Sequence, residues 1–251
     1  MSAWVVGFIT LAAVYSGALL GLRLQRLLPK HHLDGDSKDA VKLVAGLLAT
    51  LSALVLGLLI ASGKSSFDAM SDALRQSGAK VVVIDRLLAQ YGPEAKGVRE
   101  QLKLSYADRI AKLFPDARSD SVKLAPDTAP VEGFERSLRA LAPVNEDQRA
   151  IVARIHQLSD EVTQTRWLAF EEASNSTPPA FLVVLVSWLV MMFVCFGLFT
   201  PPNPTAFGAL FLGALAVSTS IFLIEEMNHP LGGVIAIRSE PMRSALSVLG
   251  Q

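Results

Sequence analysis

Three groups of residues have the types and spacing to do chemistry. His31, His32, Asp34 and Asp36 gather two imidazoles and two carboxylates on a short segment, a donor set that would suit zinc or nickel. Adjacent side chains diverge on any regular backbone, so the two histidines do not converge on one ion, and the segment reads as a polar interfacial loop. Glu225, Glu226, Asn228 and His229 close a long apolar run. On a helix, Glu225 and His229 sit one turn apart and can share a proton or a cation. Ionisable groups at membrane depth are functional candidates, whereas at a membrane boundary they are cheap to place. The third group, from Gly57 to Ser65 (GLLIASGKS), superficially resembles a phosphate-binding loop. Its glycines have five residues between them instead of four, and it ends an apolar helix where such a loop must follow a strand. It is excluded. No set of nucleophile, base and oxyanion donor assembles. The expectation is a protein that is not an enzyme and carries no catalytic residues, no metal and no cofactor.

The elements around these groups belong in a bilayer. Of 251 residues, 51% are hydrophobic and 18% charged, and mean hydropathy is +0.40. Residues 173–224 hold no charge at all, where the chain average would give roughly nine. Residues 2–22 and 43–63 are also charge-free. These runs exclude a wholly soluble globular enzyme and a disordered chain. Lys plus Arg and Asp plus Glu tie at 23 each, so no basic surplus points to nucleic acid. The single Cys195 excludes a disulfide framework and a cysteine-based metal knuckle.

A bilayer core takes roughly 20 apolar helical residues. Residues 3–22, 43–62, 180–200 and 205–224 each meet this, and no segment has the alternating polarity of a barrel strand. Pro201, Pro202, Asn203 and Pro204 divide the last two spans with a tight turn. The first span has no basic residue before it and Arg23 and Arg26 directly after it, the reverse of a cleaved signal peptide, so it is expected to be retained. Trp4 and Trp167 fit interfacial anchoring, and with Trp188 they outline no cofactor site.

Residues 63–179 carry 16 basic and 17 acidic side chains and read as helical. Phe67, Met70, Leu74, Ser77, Val81, Ile84, Leu88 and Tyr91 recur at alternating spacings of three and four, a coiled-coil seam. No proline interrupts residues 43–92, so span two runs on beyond the membrane until Gly92 and Pro93 end it. A second helix carries Val98, Leu102, Tyr106, Ile110 and Leu113 on one side. Residues 115–130 read as a flexible loop and 131–142 as a short helix. Asn145 to Gln148 resembles a capping box opening a return helix with Ile151, Ile155, Leu158 and Val162 in line. The matched arms, 64–91 and 144–177, make a helical stalk. The expected layout is all-α: a first transmembrane hairpin (1–62), the extramembrane stalk (63–179), a second transmembrane hairpin (180–224) and a C-terminal tail (225–251).

Span two carries the most regular pattern. Ala45, Ala49, Ala53, Gly57 and Ala61 fall every four residues, a stripe of small side chains down one face. In lipid nothing hydrophobic drives helices together, so small residues that admit close backbone approach supply the packing. The stripe is a helix contact, within or between subunits, or a smooth pore-facing surface. Gly17 and Gly21 in span one, and Ala209 and Gly213 in span four, repeat the pattern. The span hydroxyls that could wet a pore are Thr50, Ser52, Ser62, Ser218, Thr219 and Ser220. Thr50 borders the stripe and is the natural polar ring if the stripe faces an axis.

Positive charge is densest in the short loop after span one, at Arg23, Arg26, Lys30, Lys38 and Lys42. Positive-inside counting therefore leans toward a cytoplasmic loop and an extracytoplasmic stalk. The opposite model gains Lys64, Arg75, Lys80, Arg166, Arg238 and Arg243 near the membrane, so the tally does not decide.

Residues 224–251 (IEEMNHPLGGVIAIRSEPMRSALSVLGQ) resemble the closing signature of the bacterial bestrophin-like integral membrane family, long classed as a domain of unknown function. Members end their last span with an acidic residue, then Asp-x-Pro, a hydrophobic residue, a glycine and a Ser-x-Pro-type stretch. Glu226, Pro230, Leu231, Gly233, Ser239 and Pro241 match, and Asn228 stands where Asp is usual. The two-spans, insert, two-spans layout and residues 46–67 are also similar. The resemblance implies kinship with bestrophins, which are oligomeric anion channels with four membrane helices per subunit and a helical cytosolic part. It would place the stalk in the cytoplasm. The expectation is a multi-pass protein of the bacterial inner membrane, embedded in the lipid bilayer and assembled as a homo-oligomer. It would serve as an anion channel or, alternatively, as a membrane-anchored scaffold or sensor binding a protein partner through its stalk.

Overall fold

The structure is a computed structural model that describes residues 2–29, 35–114, 129–174 and 179–251. Among these residues there are eight α-helices and no strand: α1 (Ala3–Leu27), α2 (Gly35–Tyr91), α3 (Lys96–Leu113), α4 (Ala129–Arg139), α5 (Glu146–Ser174), α6 (Pro179–Phe199), α7 (Pro204–Met227) and α8 (Glu240–Val248). The all-helical expectation holds. His31, His32, Asp34 and most of the expected loop at 115–130 lie outside the described residues. Four helices, α1, α2, α6 and α7, are long and apolar enough to cross a membrane. The chain forms two compact units: Met1–Ser66 with Asn175–His229, and Phe67–Ser174 with Pro230–Gln251.

The first unit is built from the spans. Its core joins Val14, Ala18 and Leu22 of α1, Leu59 of α2, Leu185, Leu189 and Phe193 of α6, and Leu210, Ala214, Ile221 and Ile224 of α7. The tightest approach is between α1 and α6, where glycine meets backbone. A methyl on Gly17 would sit 3.0 Å from the Val190 carbonyl oxygen; one on Gly197 would lie 3.0 Å from Leu22 N and press on the Ala18 carbonyl. Small residues let these helices touch main chain to main chain, the packing that lipid-embedded helices depend on. Ser218 Oγ of α7 donates to the Gly7 carbonyl of α1 at 2.5 Å, tying a second pair of spans. Between α6 and α7 the prolyl turn works as its sequence suggests. Asn203 Oδ1 accepts from Ala206 N at 2.8 Å, and Pro204 opens the helix where its missing N–H costs nothing.

The second unit is the stalk. Met70, Leu74, Ser77, Val81, Ile84, Leu88 and Tyr91 are all buried, so the predicted seam is the core face of α2. Val98, Leu102, Tyr106 and Ile110 of α3, Phe134 and Leu138 of α4, and Ile155 and Leu158 of α5 close on it. Gly92 takes φ 130°, a left-handed-side conformation open to glycine, and Pro93 begins a single 3-10 turn leading into α3. Asn145 Oδ1 accepts from Gln148 N at 2.7 Å, the Gln148 side chain accepts from Val144 N at 2.9 Å, and Gln148 Nε2 donates to the Tyr91 carbonyl at 3.0 Å. The predicted capping residues therefore start α5 and also fasten it to the end of α2. Residues beyond His229 join this core through Leu231, Ile237, Met242 and Leu249.

Candidate functional site

Helix α2 turns different faces inward and outward along its membrane stretch. Ala45, Ser52, Leu59 and Gly63 are buried, with Ala49 partly so. Ala53, Gly57 and Ala61 are exposed, and a methyl on Gly57 would meet nothing within 4 Å. The helix rotates the lower part of the stripe away from its own subunit. Leu54 and Leu58, at 71% and 68% exposed, flank it. Within the subunit, the close helix contact belongs to Gly17, Gly21 and Gly197 instead.

Thr50 and Ser52 point oppositely, as a separation of about 200° on a helix requires. Thr50 is exposed, and its hydroxyl donates to the Gly46 carbonyl at 3.0 Å. The oxygen lone pairs remain outward while the hydrogen is engaged with backbone. Ser52 is 3% exposed, and its hydroxyl has no hydrogen-bond partner among the described residues. Thr219 and Ser220 bond the carbonyls of Leu215 and Ala216 on their own helix, as Thr50 does.

At the end of α7, Glu226 is 3% exposed and Asn228 is half-buried. A methyl on Gly63 of α2 would lie 3.5 Å from Met227 Cε and 3.9 Å from Asn228 Oδ1, so the family-like signature meets α2 just beyond the small stripe. His229 and Glu225 lie one turn apart as expected, but the ring Nδ1 pairs with the Glu225 backbone carbonyl at 2.9 Å rather than with the carboxylate. A carbonyl only accepts, so Nδ1 carries a hydrogen.

One charged cluster in the stalk has no counterpart in the sequence reading. Asp85, one residue off the seam, is 1% exposed. Arg99 grips it from α3 with Nε on Oδ1 at 2.9 Å and Nη2 on Oδ2 at 2.8 Å, and Gly250 N donates to Oδ2 at 3.2 Å. Burial pushes the carboxyl pKa up; the Arg99 and Gly250 hydrogen bonds and the charges of Arg99 and Arg86 outweigh it, and the net position is below the ordinary value. Arg86 and Arg99 also bond the Gln251 carbonyl, at 2.8 Å and 3.1 Å. The only available signal was Asp85 interrupting an apolar stretch; its partners lie 14 and 165 positions away. A cleft of about 410 Å³ between α3 and α8, lined by Ala107, Ile110, Ala111, Phe114, Arg243 and Leu246, has too few converging polar groups for a catalytic centre.

A four-span helical membrane subunit with a helical stalk is the class these features define. The family model for the bestrophin-like domain matches residues 12–242, and the chain belongs to the bestrophin-like family. It is similar in fold to a point mutant of a bacterial bestrophin homologue from Klebsiella pneumoniae, with TM-score 0.67 and 15% identity over 97% of this chain and 99% of that one. It is also similar to a crystal structure described as that of a membrane protein, with TM-score 0.65 and 14% identity over 98% and 99% of the two chains. No curated protein matches the chain.

Proposed function

We propose that this membrane protein is one subunit of a homo-oligomeric channel for small anions in a bacterial inner membrane, with no catalytic chemistry of its own. The observation that carries the reading is the exposed small-residue face of α2 at Ala53, Gly57 and Ala61, where a methyl on Gly57 would meet nothing within 4 Å among the described residues. In an oligomer this face lies against a neighbour or along an axis, and Thr50 lies beside it. Family membership and fold likeness support an oligomer with a path through it. Family membership weighs for the cytoplasmic stalk that the resemblance implies.

The test is chloride flux from proteoliposomes, with wild type and Thr50→Val side by side. A permeating ion must replace part of its hydration inside hydrocarbon. Because the Thr50 hydrogen is held by Gly46, greeting an anion means turning that hydrogen outward, whereas a cation would use the exposed oxygen. The valine variant keeps the shape and removes both options, so chloride flux is expected to change in rate or in selectivity over sodium. Folded wild-type protein that gives no flux above empty liposomes would refute the channel and leave the anchored scaffold, whose partner would bind the stalk.

A further inference from the structure

Within the stalk unit, α3 carries Tyr106 and Arg109 one turn apart. Tyr106 is 4% exposed, and its hydroxyl has no hydrogen-bond partner among the described residues. The hydroxyl lies against Gly78 of α2, close enough that a methyl there would stand 3.1 Å from it. Arg109 Nε is enclosed as well and has no acceptor among the described residues. Arg166 of α5 lies within electrostatic reach and repels Arg109.

Two enclosed donors, three positions apart on α3 and within electrostatic reach of each other, thus lack an acceptor among the described residues, and a second positive charge is near. An enclosed guanidinium N–H with no acceptor forfeits its hydration without replacement, so the fold leaves this donor unsatisfied. Three carboxylates of the stalk helices hold other cations: Asp108 pairs with Lys112 at 2.7 Å, Glu161 with Lys80 at 3.2 Å and Asp85 with Arg99. Burial, then the Arg166 charge, lower the Arg109 pKa to about 9, so the group is still cationic at neutral pH. Burial pushes Tyr106 up to about 12, so it stays a neutral O–H donor.

We propose that Tyr106 and Arg109 form a buried stalk site for a small inorganic anion such as chloride. A carboxylate from another subunit fits less well, because Arg109 Nε has essentially no exposed surface even in the single chain. A bare ion needs only a transient opening. The site lies outside the spans and does not depend on conduction, so absence of flux leaves it standing.

The experiment follows thermal unfolding of the purified full-length protein at neutral pH while sodium chloride replaces sodium gluconate at constant ionic strength. A ligand of the native state raises Tm saturably, and this is expected of wild type. Arg109→Gln should abolish the response. Tyr106→Phe, which keeps the ring and so the packing, should raise the half-saturating chloride about tenfold through loss of one hydrogen bond to a charged group. Crystals grown in bromide should show an anomalous peak beside Arg109 Nε, a readout that stands even if Arg109→Gln does not fold. A chloride-independent Tm in wild type, an unchanged response in Arg109→Gln, no bromide peak, or a neighbouring subunit's carboxylate on Nε would each overturn the proposal.

Discussion

The contact between α1 and α6 predicts a steep position dependence for the smallest possible change, glycine to alanine. In Gly21→Ala the new methyl would sit 2.9 Å from Leu198 N and 3.0 Å from Gly197 Cα, and would overlap the Val194 carbonyl oxygen. All three are backbone atoms, so no side chain can rotate away; the helices must part by about 1 Å, and a gap of that size forfeits a quarter to a half of each dispersion contact. Val14, Ala18 and Leu22 face Leu185, Leu189 and Phe193 across this seam, so the expected loss is roughly 1–3 kcal/mol, the usual range for overpacking. For a chain of this size that lowers Tm by about 2–12 °C. Gly208→Ala on α7 is the control, since a methyl there meets nothing within 4 Å; it should be neutral or stabilising by up to about 1 kcal/mol through helix propensity. Thermal unfolding in one detergent, read by tryptophan fluorescence, compares the two. Equal shifts would refute the claim that α1 and α6 meet at backbone distance.

Other perturbations separate the remaining readings. Ala53→Leu and Gly57→Leu should reduce oligomer size on native gels, because enlarged side chains crowd a contact made through small residues, while Leu54→Phe and Leu58→Phe matter less; equal effects from all four would mean that the stripe is no contact. Asp85→Asn should cost about 1–3 kcal/mol by weakening the hydrogen bonds to the half-buried Arg99 and removing its counter-charge. Because the folded-state pKa of Asp85 is depressed, its contribution is present above the unfolded value near 3.8 and lost as pH falls through the lower folded value; acid unfolding curves of wild type should show this extra loss and those of Asp85→Asn should not. With the stalk cytoplasmic, Ser37→Cys in a Cys195→Ala background should react with an impermeant thiol reagent on intact cells and Ser119→Cys should not. The reverse labelling would restore the orientation that charge density favours.

The spans and the stalk seam were legible because each is a local property. Charge-free runs and the turn at Pro201–Pro204 mark the membrane helices without reference to anything distant, and Met70 through Tyr91 alternate at helical spacing because every turn of α2 there meets the same core. The capping residues from Asn145 to Gln148 could be read for the same reason: the bonds they make to start α5 stay within four positions.

The facing of the small-residue stripes was not legible. In water an inward helix face is apolar and an outward one polar, so sequence reveals orientation. In lipid both are apolar, and Gly17, Gly21 and Gly57 look alike until their neighbours are in place. Only the fold sets Gly21 against Gly197 and leaves Gly57 with nothing within 4 Å. Likewise, nothing near Asp85 in the chain announces Arg99 and Gly250 as its partners, and residues 230–251, read as a tail, pack Met242 and Leu249 into the stalk core. The composition and periodicity of this chain determined which helices exist and which of them lie in lipid. Which faces meet, and which charges are buried together, depended on contacts between residues far apart in sequence, and these the tertiary structure decided.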